Sequence, residues 1–480
     1  MTAPSSPIAF GTDGWRGQIA GSFTFERLRQ LAPPAAQVLA EHYGDAERQR
    51  PVLVGYDRRF MAEDFAQAAA DAVRQAGFNV WLAQTYAPTP ALSWAARNRE
   101  ALGALVITAS HNPAGDLGVK LKGSFGGSVP QAVAQQVEAR LTHSMPPSER
   151  SGHASAFDPW PHYCQALRER VDCTAIRDAI ASGELTVWAD AMHGAAAGGL
   201  SQLLELPIGE LRSERDPTFG DGAPEPLPQH LSALCRQVRR TARGASGGLR
   251  LGLAFDGDGD RIAAIDGRGN VLSAQALIPL LVDRLARQRG LSGEVVKTVS
   301  GSDLIAHVAA QLGLPVCETP VGYKHVADRM LAERVLLGGE ESGGIGYGTH
   351  IPERDALLSA LYLLETVALE WQDLSARCAQ LQRETGFSAS YDRLDLPLAD
   401  AAARDQVRER LQQAPPDTIA GRRVRECTTQ DGHKFRLEDG SWLLIRCSGT
   451  EPLLRLYCEA PTAARVRQTL DWARQWTNAN

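Results

Sequence analysis

At 480 residues the chain is too long for one hydrophobic core and calls for several domains of roughly 100 to 200 residues each. Its 44% hydrophobic and 22% charged content excludes disordered and fibrous classes, and a formal charge of −6 argues against nucleic acid or an anionic membrane surface as the main partner. The start MTAPSSPIAFGTDGW has no basic n-region and no apolar h-region, and no uncharged apolar run reaches the roughly 18 residues of a membrane span, so a cytoplasmic protein is expected. Eight cysteines lie beyond residue 163 with no CxxC pair, a pattern of reduced thiols rather than of a disulfide framework or a zinc ribbon.

In chain order, FGTDGWRG at 10 to 17 comes first and sets Arg16 among glycines that let a backbone approach an anion, though an ion pair on the surface is the commoner fate of such a residue. Short apolar strands then alternate with Ala/Leu/Arg-rich stretches of helical period, which is the pattern of α/β domains with largely parallel sheets. One layout occurs three times. PVLVGYD from 51 is followed by ALVITASHNP from 104, LTVWADAMHG from 185 by LGLAFDGDGDR from 251, and EVVKTVSGSD from 294 by RVLLGGEESGG from 334. Loops beyond the carboxyl ends of such strands hold ligands, so three domains would present their loops to one central cleft. The expected architecture is three similar mixed α/β domains over 1–150, 151–267 and 268–384, and a smaller C-terminal α+β domain over 385–480. The stretches SMPPSERSGHASAFDPWP from 144 and ETGFSASYDRLDLPLAD from 384 are expected as linkers.

Five stretches could carry chemistry. ALVITASHNPAGD, 104 to 116, ends an apolar strand on Ser110, His111 and Asn112, either a plain turn or a hydroxyl presented beside an imidazole. FDGDGDR spaces Asp256, Asp258 and Asp260 two apart; three crowded carboxylates need a cation, and hard oxygen ligands suit Mg²⁺ or Ca²⁺. An EF-hand beginning at Asp256 fails, because Arg261 and Gly267 stand where its glycine and glutamate belong. In TPVGYKHV, Lys324 sits beside a glycine as a candidate anion group. GGEESGG offers Glu340, Glu341 and Ser342 either for the hydroxyls of a sugar or, through Ser342, as a helix N-cap. RCSGTEPLLRLY sets Ser448, Gly449 and Thr450 between Arg446 and Arg455, either a phosphate nest or a hairpin turn. Only five of the 50 basic residues are lysines (120, 122, 297, 324 and 434), so a retained lysine can mark a need for a compact ammonium or a deprotonatable amine.

A nucleophile, a metal loop, a polyol-binding turn and a phosphate nest together make the inventory for phosphoryl transfer on a sugar phosphate. The chain resembles the α-D-phosphohexomutase family, the phosphoglucomutases and phosphomannomutases, on FGTDGWRG, VGYDRR, TASHNP, DGDGDR, TPVGYK, GEESGG with PERD, and RCSGTEP, in that order. The resemblance implies four domains around a central cleft, with Ser110 carried as a phosphoserine and Mg²⁺ held by Asp256, Asp258, Asp260 and a phosphoserine oxygen. Arg16, His111 and Lys120 match positions beside the reacting phosphoryl group. Glu340 and Ser342, with Lys324 and Arg261, are the expected sugar contacts, and Arg446, Ser448, Gly449, Thr450 and Arg455 the expected phosphate contacts.

The implied reaction interconverts hexose 1-phosphate and hexose 6-phosphate through a 1,6-bisphosphate, with glucose 1,6-bisphosphate as activator and a monomer or small homo-oligomer as the working form. A metal-dependent sugar phosphatase and a non-catalytic sugar-phosphate sensor are the rivals from other classes. Asp116, Leu117 and Gly118 replace the Tyr-Asn-Gly that many members carry, and Gly344 replaces a histidine. TPVGYK, and Glu341 where phosphoglucosamine mutases usually carry Gln, favour glucose over mannose and glucosamine. Lys120 is expected either to be the general base, its amine brought towards neutrality beside the metal, or only to supply charge to the phosphate while His111 or the phosphoryl oxygens take the proton.

Overall fold

The computed structural model describes residues 7–11, 13–44, 49–141, 150–244, 248–448 and 453–478. Four sheets follow one another along the chain. The first has the order Trp15–Gln18, Asp116–Gly123, Gly103–Ile107, Val52–Tyr56, Val80–Ala83, Ala154–Phe157, parallel except where Asp116–Gly123 meets its two neighbours. The second runs Val271–Leu272, Ile262–Ile265, Leu249–Phe255, Leu185–Asp190, Gly209–Leu211, and the third Val316–Thr319, Glu294–Thr298, Val335–Gly339, Ile345–Tyr347. The fourth sheet, whose six strands span 390–460, is wholly antiparallel. Three mixed α/β units and an α+β unit therefore form as expected. Both stretches expected as linkers also supply edge strands, Ala154–Phe157 to the first sheet and Ser390–Pro397 to the fourth.

Local chemistry sets the element ends. The helix Phe25–Tyr43 starts at Thr24, whose hydroxyl accepts from the Arg27 N–H at 3.3 Å, and stops at Gly44 in the left-handed region at φ 76°. The helix Ala356–Glu370 is capped by Asp355 and buried almost all round, as its sequence ALLSALYLLETVALE requires. It packs against the helix Cys173–Ala181 and so ties the third domain to the second.

One continuous apolar core runs through the first three domains, and the fourth has its own around Val407, Leu443, Leu456 and Leu470. Alternation along Trp442–Cys447 explains this. Leu443 and Ile445 face that private core, whereas Trp442 and Leu444, with Tyr457, meet Val299 of the third domain. Ion pairs Lys434–Glu318 at 3.0 Å and Arg436–Asp303 at 2.7 Å reinforce the junction. All eight cysteines are free, and among the described residues no helix is long and apolar enough to cross a membrane.

Candidate active site

The strand Gly103–Ile107 ends centrally in the first sheet, and Ser110 follows it with φ 53°, a left-handed backbone that a non-glycine residue adopts only under constraint. Its hydroxyl donates to Asp256 Oδ2 at 3.2 Å and lies 3.2 Å from Nδ1 of His111. Burial, with Arg261 and Arg16 nearby, lowers the His111 pKa and keeps its ring neutral. Arg16 donates to Asn112 Oδ1 at 2.6 Å, and Asn112 Nδ2 donates to Asp116 Oδ2 at 2.9 Å. The departure at Asp116 thus orients Asn112, which in turn holds Arg16.

The strand Leu249–Phe255 delivers the aspartate loop. Gly257 is packed so closely that an added Cβ would lie 2.3 Å from the carbonyl oxygen of Ser110, and Gly259 turns at φ 68°. Asp256, Asp258 and Asp260 are fully buried and offer oxygens all within 4.8 Å of one another. Oδ1 of Asp258 and Oδ1 of Asp260 have no hydrogen-bond partner, a costly state for buried carboxylate oxygens that a hard divalent cation would relieve. Burial, then repulsion from Asp260 and Asp258, raises the Asp256 pKa. Against the same burial penalty, Lys120 lowers Asp258 and Arg354 with Lys120 lowers Asp260. The donor set fits Mg²⁺.

Lys120, on the strand Asp116–Gly123, is 1% exposed and reaches Asp13 at 2.8 Å, Asp258 at 2.8 Å and Asp260 at 3.0 Å. Burial disfavours its charge, but the three carboxylates prevail and push the ammonium above its ordinary pKa. The lowering towards neutrality is expected beside a bound metal; the three carboxylates by themselves act in the opposite direction.

The turn after Val335–Gly339 belongs to a hairpin with Ile345–Tyr347, so Ser342 caps no helix. Glu340 is buried there, accepts from the Gly322 N–H at 3.1 Å, and is pushed up to about 7 by burial against the opposing pull of Arg354 at 3.7 Å. Glu341 points elsewhere, accepting from Ser300 Oγ at 2.6 Å. Gly344 has a steric reason, since a Cβ there would sit 2.3 Å from Arg354 Cδ. Arg261 holds Glu225 at 3.3 Å and lies 4.0 Å from Asp256, beside the aspartate loop, while its backbone bridges to Gly344.

In the fourth domain Arg446 and Arg455 are direct cross-strand partners on the face turned towards the third domain. Arg446 donates to Asp431 at 2.9 Å, and Asp431 also accepts from the Val321 N–H of TPVGYK at 2.8 Å. Ser448 is buried at the strand end; Gly449 and Thr450 lie outside the described residues. Lys324, second residue of the helix Tyr323–Ala332, lines a pocket with Phe10, Asp13 and Gln131 between the first and third domains.

Contacts therefore join Ser110, His111, Lys120, the three aspartates, Arg261 and Glu340 into one network. Among the described residues no hydrogen bond or ion pair connects Lys324, Ser342 or Arg455 to it. Three residues that were not singled out belong to it. Asp13 bridges Lys120, Lys122 and Arg354; Arg354 spans Asp13 at 2.8 Å and Asp260 at 2.7 Å; Arg59 lies under the Ser110 loop. All three stand inside FGTDGWRG, PERD and VGYDRR, so their motifs were legible although their roles were not.

Comparison with known proteins assigns all four domains to one family. The sequence matches phosphoglucomutase/phosphomannomutase alpha/beta/alpha domain I over residues 7–147, domain II over 161–269, domain III over 273–384 and the C-terminal domain over 395–473. It is 31% identical to a "Probable phosphoglucosamine mutase" of Methanothermobacter thermautotrophicus and 28% identical to a phosphoglucomutase/phosphomannomutase of Thermococcus kodakarensis, covering 96% of both chains in each case. A crystal structure named "putative phosphomannomutase" from Thermus thermophilus superposes with a TM-score of 0.85 at 33% identity, covering 99% of this chain and 100% of that one.

Proposed function

The chain belongs to the phosphoglucomutase/phosphomannomutase family of intramolecular phosphotransferases, and on that premise we propose that it interconverts glucose 1-phosphate and glucose 6-phosphate through a phosphoserine at Ser110. The observation that carries this reading is the Ser110 hydroxyl at the tip of a strand, 3.2 Å from a carboxylate of the buried aspartate triad.

Asp256, Asp258, Asp260 and an oxygen of the phosphorylated Ser110 would hold Mg²⁺, which supplies charge neutralisation at the phosphoryl group. Ser110 carries and returns the phosphoryl group. Lys120 and Arg16 add positive charge beside it, the first fixed by Asp13, the second by Asn112. His111 keeps a ring nitrogen within reach of Ser110 Oγ. Glu340 and Ser342 orient the sugar hydroxyls, with Lys324 and Arg261 at the sides of the cleft. Arg446, Ser448, Gly449, Thr450 and Arg455 grip the phosphate that is not reacting, so that a 1,6-bisphosphate can turn over and present its second phosphate. Positioning and charge stabilisation of this kind are the main demands of phosphoryl transfer.

Glucosamine 1-phosphate is the second reading, supported by the similarity to the Methanothermobacter thermautotrophicus protein. Two measurements test the proposal. Intact mass after incubation with glucose 1,6-bisphosphate and Mg²⁺ should show an addition of about 80 Da, one phosphoryl group, lost in Ser110→Ala. Rates on glucose, mannose and glucosamine 1-phosphates should be highest for glucose. No mass addition, or inorganic phosphate released faster than isomerised sugar, would remove the mutase mechanism.

A further inference from the structure

Arg59 is fully buried, and sheet register places it beneath the Ser110 loop. Tyr56 pairs with Ile107 across the parallel strands Val52–Tyr56 and Gly103–Ile107, so Arg59 and Ser110, each three residues further on, leave the sheet side by side. The Arg59 guanidinium then donates to four main-chain carbonyls of that loop. Nη2 reaches Ser110 O at 2.7 Å and Asn112 O at 2.6 Å; Nη1 reaches Pro113 O at 2.9 Å and Asp116 O at 3.1 Å.

Asp57 braces the arrangement from below. It pairs with the Arg59 guanidinium at 3.4 Å, accepts from the Arg59 N–H at 2.9 Å and accepts from Thr108 Oγ1 at 2.6 Å, while Thr108 Oγ1 accepts from the Ser110 N–H at 2.8 Å. Both sides of the Ser110 residue are thus held, its N–H through Thr108 and its carbonyl through Arg59. From the second domain, the Phe219 ring stacks 4.8 Å from the guanidinium. A planar, pre-organised fork can span carbonyls from residue 110 to 116, whereas a lysine ammonium is a point donor and cannot.

We propose that Arg59 is the positioning residue of the phosphoryl carrier: by collecting these carbonyls it holds Ser110 in its left-handed conformation and fixes Oγ against the aspartate loop. The same Ser110 carbonyl also abuts Gly257, with no room for even a Cβ there, so a shift of this carbonyl moves the loop that carries the hydroxyl relative to Asp256. Drawing a carbonyl inward also turns the next N–H of the planar trans peptide outward, which aims the His111 N–H away from Arg59. Arg59 touches the main chain and not the reacting atoms, so its loss should appear in turnover and phosphoryl uptake rather than in sugar-phosphate affinity.

The inference rests on the reading of Ser110 as phosphoryl carrier, and the test separates the two. Wild type, Arg59→Lys and Asp57→Asn are compared in steady-state turnover of glucose 1-phosphate and in the rate of phosphoryl uptake from glucose 1,6-bisphosphate followed by intact mass. Arg59→Lys should lower kcat and the uptake rate together by about 10²-fold, the scale of a misplaced reacting group, with KM within about threefold of wild type. Should Arg59→Lys fail to fold, the isosteric Asp57→Asn carries the test, with the same split at about tenfold. A folded variant whose kcat and uptake match wild type, or whose loss lies in KM, overturns the role of Arg59. A wild-type chain that takes up no phosphoryl group overturns the reading of Ser110 itself.

Discussion

Replacing Lys120 asks whether its amine moves a proton or only supplies charge. At an effective dielectric of about 20, a unit charge 2.8 to 3.0 Å from another is attracted by about 6 kcal/mol, and Lys120 makes three such contacts, with Asp13, Asp258 and Asp260. The burial penalty of one ion is several kcal/mol, so before a metal shares Asp258 and Asp260 attraction wins even after the repulsion from Arg354. Asp13 and Asp260 each keep Arg354 when Lys120 is removed; among the described residues Asp258 keeps only the Thr89 hydroxyl at 2.6 Å. Lys120→Met should therefore lower turnover by about 10² to 10³-fold, the usual effect of deleting one electrostatic stabiliser, and Lys120→Arg, which restores the cation, should recover most of that loss. The assay is glucose 1-phosphate turnover at saturating Mg²⁺ from about pH 6 to pH 9, where a residue acting by charge leaves the shape of the profile unchanged. If Lys120→Arg is as inactive as Lys120→Met and its acidic limb is flattened, the amine is the proton acceptor and the reasoning from its carboxylate neighbours is wrong.

Asp258→Asn should weaken Mg²⁺ binding, read by calorimetry, and cut turnover by orders of magnitude while the far-ultraviolet dichroism stays unchanged. Arg446→Ala should raise KM more than it lowers kcat, because a grip on the non-reacting phosphate acts in ground and transition states alike; a loss confined to kcat would place Arg446 at the reacting phosphate instead. Glu340, raised by burial to about 7 from an ordinary 4.5, should cost the folded state stability as pH rises across that interval, since the unfolded chain ionises first, and Glu340→Gln should flatten the slope in denaturant titrations. The same variant should remove a limb near pH 7 from the turnover profile; a limb that survives belongs to another group.

Strand positions and loop chemistry were legible because they depend on neighbours in the chain. Apolar runs such as ALVIT form central strands, glycines allow the turn of DGDGD, and three aspartates two residues apart crowd together in any fold that buries their strand. The two stretches richest in turn formers do join successive domains, but the edge strands they carry were not legible, since a four-residue edge strand such as Ala154–Phe157 takes its stability from pairing with Val80–Ala83 and not from its own composition. Everything that depends on which charges meet was decided by the tertiary structure. Lys120 acquires Asp13 and Asp258, Arg354 acquires Asp13 from 341 residues away, and Arg59 acquires a loop 51 residues or more downstream. Lysine scarcity singled out position 120, but the sign of its pKa shift is the difference between a burial penalty and three attractions. That difference is fixed only when domains separated in sequence pack against one another, because Coulomb energy depends on distance in space and on the local dielectric, and neither is written in the order of residues.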